Sequence, residues 1–525
     1  MTASLSLALR RHAIRRPDAE ALVDSGQRWT YAELDRAVDQ HARALAAAGV
    51  GNGELVGILA RNHATYVLEL LAILRLGASY VPVNWRLHAR ELGYIVGHSG
   101  LRTLLADADF HDKAEQVRGH GELRTLISHA ASPPAGWLSL PELVASASGQ
   151  PVADAGQTFD DVHRVLYTSG TTAHPKGVIH THGNVQMNHV GQMLELELTP
   201  SDRAMVSAPL FHVSGLEVPG LAMIYIGGTM VLTRSYQGAD IIALAAAERV
   251  TTLVLAAQIV HDVLRMENRS DYDLSALRLI VFGGVPSAVR LAVHQALPDV
   301  RLVDTFGMTE ICNGACYMDA GHQLTKLGSQ GMPFPHLDLR IVDQQGRPVP
   351  PGTIGEITVR GPKVSPGYWR DPEATARAWR DGWLWTGDLA AMDAEGYLWF
   401  ADRRTDMIRS GGENIASAEI ERVISEHPDV AEVAVIGVAD PRWDEVPKAF
   451  VVPRHKALTR EEIAAHCRGQ LARFKVPRYV EIVDDLPRND SGKVLKRLLR
   501  EAEQPAPAGQ PAPAARPAQG ERVTP

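Results

Sequence analysis

Cysteine is scarce in this 525-residue chain, with Cys312, Cys316 and Cys467 the full set. So odd and sparse a set excludes a disulfide framework and fits a reducing compartment, which makes the cytoplasm the expected location. Positive charge is also in short supply. Lys and Arg number 53 against 61 Asp and Glu, a formal net charge of -8, whereas a reader of phosphate backbones clusters its cations. Nucleic acid is therefore not an expected partner. Long apolar runs are missing too. The longest, residues 66–83, is interrupted by Glu69, Arg75 and Gly77, while a membrane-spanning helix needs about 20 mostly apolar residues. Near the start, the short apolar block 5–9 precedes Arg10, Arg11, Arg15 and Arg16 instead of following them, the reverse of a secretory leader. There is no internal repeat.

What remains is an ordinary globular composition, 45% hydrophobic and 22% charged, in a chain longer than the roughly 250–300 residues that one core supports. At least two domains are expected. Between residues 160 and 310, short Val/Ile/Leu-rich runs at 164–167, 203–207, 229–233, 252–256, 278–282 and 301–305 alternate with helix-length stretches such as 238–249 and 286–297. This texture predicts buried, largely parallel strands with crossover helices on both faces. The fold class expected is α/β, with a large multi-sheet N-terminal domain over 1–402. After Asp402 the texture changes. Strands are predicted at 433–438 and 448–452, and Thr459-Arg460-Glu461-Glu462 is a capping box opening a helix whose apolar face is Ile463, Cys467 and Leu471. Cys467 is thus a core residue in prospect, not a nucleophile. A smaller, mobile α+β domain is expected over 407–500, joined by a hinge at 403–406. Residues 501–525 form a Pro/Ala-rich tail that cannot repay the entropy of ordering.

The chemistry announces itself after the apolar run 165–167. Thr168-Ser169-Gly170-Thr171-Thr172-Ala173-His174-Pro175-Lys176-Gly177 sets hydroxyls, backbone amides and one Lys where a polyphosphate can be gripped. It is not a Walker loop. Pro175 stands where that pattern has its second Gly, and Gly177 follows the Lys, so no Mg-binding hydroxyl is supplied there. Alone, such a stretch also reads as a solvated turn. With Phe306-Gly307-Met308-Thr309-Glu310, Trp383-Leu384-Trp385-Thr386-Gly387-Asp388 and Pro487-Arg488-Asn489-Asp490-Ser491-Gly492-Lys493, it closely resembles the adenylate-forming superfamily of acyl-CoA synthetases, luciferases and peptide-synthetase adenylation domains. The resemblance runs from about residue 10 to 500.

It implies ATP and CoA as co-substrates and Mg2+ as cofactor. Carboxylate attack on ATP brings two anions together, so their repulsion must be offset. By resemblance, Glu310 holds the metal and Lys493 bridges the substrate carboxylate and α-phosphate, with Thr168 in the catalytic loop; an exposed ion-pairing Glu is the plain alternative. Nucleotide contacts are implied for Thr168, Ser169, Gly170, Thr171, Thr172, Lys176, Gly283, Gly284, Val285, Phe306, Gly307, Met308, Thr309 and Lys493. Phe306 offers a face to adenine, while Asp388, following Gly387 in a tight turn, and Arg403 resemble the ribose partners. Arg409, Ser410, Gly411 and Gly412 resemble the loop lining the CoA tunnel. The hinge residue is Thr405, where the family has Asp or Lys, and Ala173 stands where it has Gly.

The acid itself is read from Pro209-Leu210-Phe211-His212-Val213-Ser214-Gly215. By resemblance, His212 occupies the place where peptide-synthetase adenylation domains carry the Asp that binds an amino group, so an amino acid is not the expected substrate. Phe211, His212, Gly215, Gln258 and Met308 are candidate acyl-pocket residues, small or apolar enough for an uncharged skeleton, with His212 read equally as an aromatic gate or a structural residue. The pattern most resembles fatty-acyl-CoA synthetases, with aryl and alicyclic acids close behind. An adenylate-only enzyme and a non-catalytic binder are the alternatives. Peripheral membrane contact and a monomer or homodimer are both compatible with the sequence.

Overall fold

The computed structural model describes residues 4–503 apart from 169–174, 284, 286, 404–405, 411–412, 441–442, 455–457 and 489–493, with backbone alone at 256–258, 261, 288, 409 and 413–414. The expected loop residues Ser169, Gly170, Thr171, Thr172 and Ala173, together with Gly284, Thr405, Gly411, Gly412, Lys493 and the tail, lie outside the described residues. So do the side chains of Gln258 and Arg409. The chain divides into two compact units, 1–339 with 359–385, and 340–358 with 386–525, a division that does not follow the textural change at residue 402.

The first unit carries the α/β texture. Strands Arg203–Val206, Thr229–Leu232, Thr252–Ala256, Leu279–Gly283 and Arg301–Met308 pair in parallel within a nine-stranded sheet. Each falls on a predicted run. Parallel neighbours need crossovers, and helices Gly238–Ala247 and Ser287–Ala296 lie where the helix-length stretches were read. The strands are apolar on both faces because both are covered, with Met205, Leu253, Ile280 and Leu302 all buried in one cluster. A second, seven-stranded sheet runs in the order Leu138–Ser139, Thr125–Ser128, Thr103–Ala106, Leu55–Leu59, Ser79–Pro82, Val162–Thr168, Lys176–Thr181. Its last pair is antiparallel. No helix among the described residues is long and apolar enough to cross a membrane.

One polar cluster in this unit has the composition of a metal site, His63, Asp107 and His129. Its protons say otherwise. His63 caps helix Ala64–Arg75, its Nδ1 accepting from the Tyr66 amide, so the proton sits on Nε2 and points at Asp107 Oδ1, 2.8 Å away. His129 donates from Nδ1 to the same oxygen and from Nε2 to the buried Glu69, both at 2.7 Å. Burial opposes charge on that ring, but the Glu69 carboxylate and the Asp107 bond outweigh it and push His129 up to about 10. Both ring nitrogens of His129 are thus committed to carboxylates, an arrangement that favours the charged ring.

In the second unit, strands Val430–Asp440 and Asp444–Pro453 form an antiparallel pair in a five-stranded sheet with Ile408–Ser410, Glu413–Ile415 and Tyr479–Ile482. The capping box forms as read, Thr459 opening helix Arg460–Arg468. Cys467 is buried with Ile463 in the core, and burial pushes its thiol up to about 11, so it is the packing residue expected.

Candidate active site

Sequence makes the phosphate hairpin locally. In the antiparallel pair Val162–Thr168 and Lys176–Thr181, Thr168 lies opposite Lys176, so the two ends of the expected loop meet across one rung of the ladder. Gly177 is required here by a close approach. A Cβ at that position would lie 2.8 Å from Val165 Cγ1 and 3.3 Å from Trp369 Cβ. That intimacy lets residues 367–369 zip on alongside: the Trp369 amide donates to Gly177 O at 2.7 Å and the Ile179 amide to Gly367 O at 3.1 Å.

The zipped segment aims Tyr368. Its ring lies 5.0 Å from Lys176 Nζ, and its hydroxyl donates to Glu310 Oε1 at 2.9 Å. Burial and the Glu310 carboxylate both hold the phenol well above its usual range, so it stays a donor. Thr168, Lys176 and Glu310 are thereby brought to one place, with Tyr368 as a participant that sequence reading missed. Glu310 sits in the single turn Thr309–Ile311 directly after strand Arg301–Met308, and its backbone carbonyl accepts from the Ser365 amide at 2.8 Å. Its carboxylate is a hard oxygen donor of the kind Mg2+ takes, and its neighbour donates a proton instead of competing as a base, so the group fits the metal.

The adenine candidates lie on the same sheet edge. Phe306 and Gly307 belong to strand Arg301–Met308, beside Gly283 at the end of the neighbouring strand, with Val285 buried just after it. A Cβ on Gly307 would meet Asn313 O at 2.4 Å, so the paired strand Asn313–Tyr317 demands glycine there. His212 caps helix Val213–Glu217, its Nδ1 2.7 Å from Ser214 Oγ and accepting from the Ser214 amide. That is a structural job for one ring nitrogen. The preceding loop is fastened by Asn62, which donates to Ala208 O and accepts from the Leu210 amide. Phe211 is buried, edge-on to Trp85, and a Cβ on Gly215 would meet Pro209 O at 2.2 Å. Gly215 is thus needed for packing under this loop.

Beneath the hairpin lies a buried polar cluster with no sequence signature. Arg164, fully buried, reaches Glu217 Oε1 at 2.5 Å, His180 Nδ1 at 2.9 Å, Tyr80 Oη at 3.2 Å and Cys312 Sγ at 3.6 Å. Glu217 also accepts from Asn188 and His189. Burial opposes its charge, yet Arg164 holds its carboxyl far below the ordinary range. Lys363 completes the set, with Nζ on Asn188 Oδ1 at 2.7 Å, on Gly314 O, and 4.1 Å from the Phe334 ring. Among the described residues no carboxylate pairs with it, and burial brings it down to about 7.

In the second unit the expected tight turn at Gly387-Asp388 is a kink in a strand. Gly387 has φ of +75° inside Trp383–Met392, and the ladder continues because Asp388 lies opposite Arg403 on strand Leu398–Arg403. The two expected ribose residues are 3.4 Å apart, Arg403 Nε to Asp388 Oδ1. Asp402 next to them anchors helix Ser417–Ser425 through the Ser417 amide and hydroxyl. Ser410 is buried in strand Ile408–Ser410.

Residues 9–369 match the family model described as AMP-binding enzyme, and 419–493 the AMP-binding enzyme C-terminal domain. The chain is 40% identical over 492 residues to a feruloyl-CoA synthase of an Amycolatopsis species, covering 93% of this chain and 97% of that protein. Its fold superposes on an anthranilate CoA ligase in complex with anthranoyl-AMP at a TM-score of 0.90, with 29% identity and coverage of 96% and 98%. An o-succinylbenzoate CoA synthetase of Bacillus subtilis, in complex with ATP and magnesium, gives 0.84, 32%, 94% and 98%. A hairpin ending on Thr168 and Lys176, set against Glu310 and matched along nearly the whole chain, leaves one assignment: the chain belongs to the AMP-binding enzyme family, as an acid–CoA ligase that works through an acyl-adenylate.

Proposed function

We propose that the acid this ligase activates is aromatic or otherwise apolar. A carboxylate oxygen attacks the α-phosphorus of ATP, the bond to the β-phosphate oxygen breaks and pyrophosphate leaves. The CoA sulfur, its proton lost to solvent, then attacks the acyl carbonyl, and AMP leaves as the C–O bond breaks. The observation that carries this reading is the meeting of Thr168, Lys176 and the Tyr368-bonded Glu310 at the hairpin.

In this reading Lys176 and the hydroxyls of the loop hold the phosphates, and Glu310 holds Mg2+, which offsets phosphate charge when bound. Phe306, Gly283 and Gly307 receive adenine, Asp388 and Arg403 the ribose, Lys493 the α-phosphate, and Arg409 to Gly412 the pantetheine. Residues 403–406 serve as the hinge between the two half-reactions. The aromatic preference is supported by the names of the three relatives, all ligases of aromatic acids, and by His212, which offers an ammonium no counter-charge. Fatty acids, the sequence-based favourite, become the second choice.

A pyrophosphate-exchange screen across cinnamic, benzoic, arylacetic and fatty acids tests this, repeated with Lys493→Ala. Exchange with an aromatic acid, abolished in Lys493→Ala, is expected; exchange with fatty acids alone sinks the aromatic reading, and exchange indifferent to Lys493 sinks the mechanism. Adding CoA then separates thioester formation from release of free adenylate.

A further inference from the structure

Glu310 needs more than a turn to hold it, and the turn it occupies is strained. Cys312 and Asn313, directly after Thr309–Ile311, have φ of +54° and +84°. Two successive residues with side chains in this left-handed region persist only when their surroundings impose it. The buried cluster beneath the hairpin supplies the constraint. Thr309 O accepts from the Cys312 amide at 3.0 Å and from His180 Nε2 at 2.7 Å.

The direction of that second bond is fixed by Arg164. A guanidinium only donates, so its Nε–H, 2.9 Å from His180 Nδ1, makes Nδ1 the lone-pair nitrogen and leaves the proton on Nε2. Arg164 and His180 face each other in the hairpin register, and Arg164 is itself locked by Glu217 and Tyr80. Burial and the adjacent guanidinium bring His180 down to about 3, so the ring stays neutral and the bond persists across working pH. The peptide planes on both sides of Glu310 are then held: His180 grips the one before it at Thr309 O, and the Ser365 amide grips the one after it at Glu310 O.

We propose that His180, oriented by Arg164, is a positioning residue for the first half-reaction: it ties the phosphate hairpin to Thr309 and so sets where the Glu310 carboxylate stands. The inference rests on the role given to Glu310 above. It also explains why the hairpin carries an Arg and a His on opposed inward positions, where apolar residues would pack at lower cost.

Three variants test it. His180→Asn keeps an acceptor near Arg164 and is too short to reach Thr309 O; His180→Gln extends an amide N–H toward Thr309 O; His180→Leu removes both bonds. Pyrophosphate exchange is expected to fall about 100-fold in His180→Asn, the scale on which small misplacement acts. Thioester formation from pre-made acyl-adenylate and CoA stays at the wild-type rate, and His180→Gln recovers most of the exchange. ATP titration by calorimetry, with and without Mg2+, reads Glu310 without turnover: the gain in affinity from Mg2+ is lost in His180→Asn and kept in His180→Gln. The proposal is overturned if the Mg2+ gain is the same in His180→Asn and wild type, or if both half-reactions fall together with the melting temperature and Gln restores neither. An exchange-inactive wild type that still shows the Mg2+ gain would discredit the proposed reaction while leaving this inference to the calorimetric arm, which decides it alone.

Discussion

His180 and His129 belong to the same seven-stranded sheet region, both are largely buried, and both touch charged neighbours, yet they are held in opposite protonation states. His129 faces two carboxylates, Glu69 and Asp107, and is pushed up to about 10. His180 faces a guanidinium and a backbone carbonyl, and is brought down to about 3. The difference lies wholly in which partners the fold delivers. It also separates two jobs. The charged cluster fastens the start of helix Ala64–Arg75 to the ends of neighbouring strands, whereas the neutral one ties the phosphate hairpin to the turn that carries Glu310.

The comparison breaks most severely at Arg164. Arg164→Met leaves Glu217 buried with its main cation gone, and a loss of about 3–5 kcal/mol is expected, read as a drop in the denaturant midpoint. A midpoint within error of wild type would mean that Asn188 and His189 suffice for Glu217.

A subtler break lies in pH. The raised His129 stabilises the fold fully below its unfolded value of 6.5, and that contribution is lost as pH rises toward about 10. Lys363 acts in the opposite sense: folded, it gives up its proton near 7, while the unfolded chain holds it to 10.5, so stability rises with pH across that window. In wild type the two slopes oppose each other between about pH 7 and 10. Urea midpoints should therefore rise with pH in His129→Asn and fall with pH in Lys363→Met; equal slopes in the two variants would refute the assignment.

The smallest effect sharpens the functional side. Tyr368→Phe removes the donor to Glu310 with little change in shape, a loss of about 1.5 kcal/mol for a bond to a charged group, or about tenfold in the rate of adenylation. His129→Asn, at the other cluster, should leave pyrophosphate exchange at the wild-type level. Exchange impaired equally by both would erase the distinction between them.

Much of the architecture is legible in the amino-acid sequence. Each apolar run between 203 and 305 became a parallel strand, Thr459 capped its helix, and Cys467 packed with Ile463. The strand entering the phosphate loop was also readable, whereas the return strand Lys176–Thr181 that makes it a hairpin was not. Less of the site's support was readable. Tyr368 lies 58 residues from Glu310, and nothing in Gly367-Tyr368-Trp369 announces a partner. Gly387-Asp388 carried a turn signal, yet the cross-strand register with Arg403 kept it in the ladder, a tertiary preference overriding a local one.

By itself, then, the sequence determined the alternation of strands and helices, the glycines at close approaches, and the residue types that grip a polyphosphate. These follow from periodicity, φ preference and side-chain chemistry, all of which act between near neighbours. Only the tertiary structure decided which histidine is charged, which lysine sits near neutrality, and what holds Glu310 in place. Those properties depend on burial and on partners far apart in the chain, 53 residues between Arg164 and Glu217 and 129 between His180 and Thr309. An ionisable group takes its protonation state from what surrounds it in space.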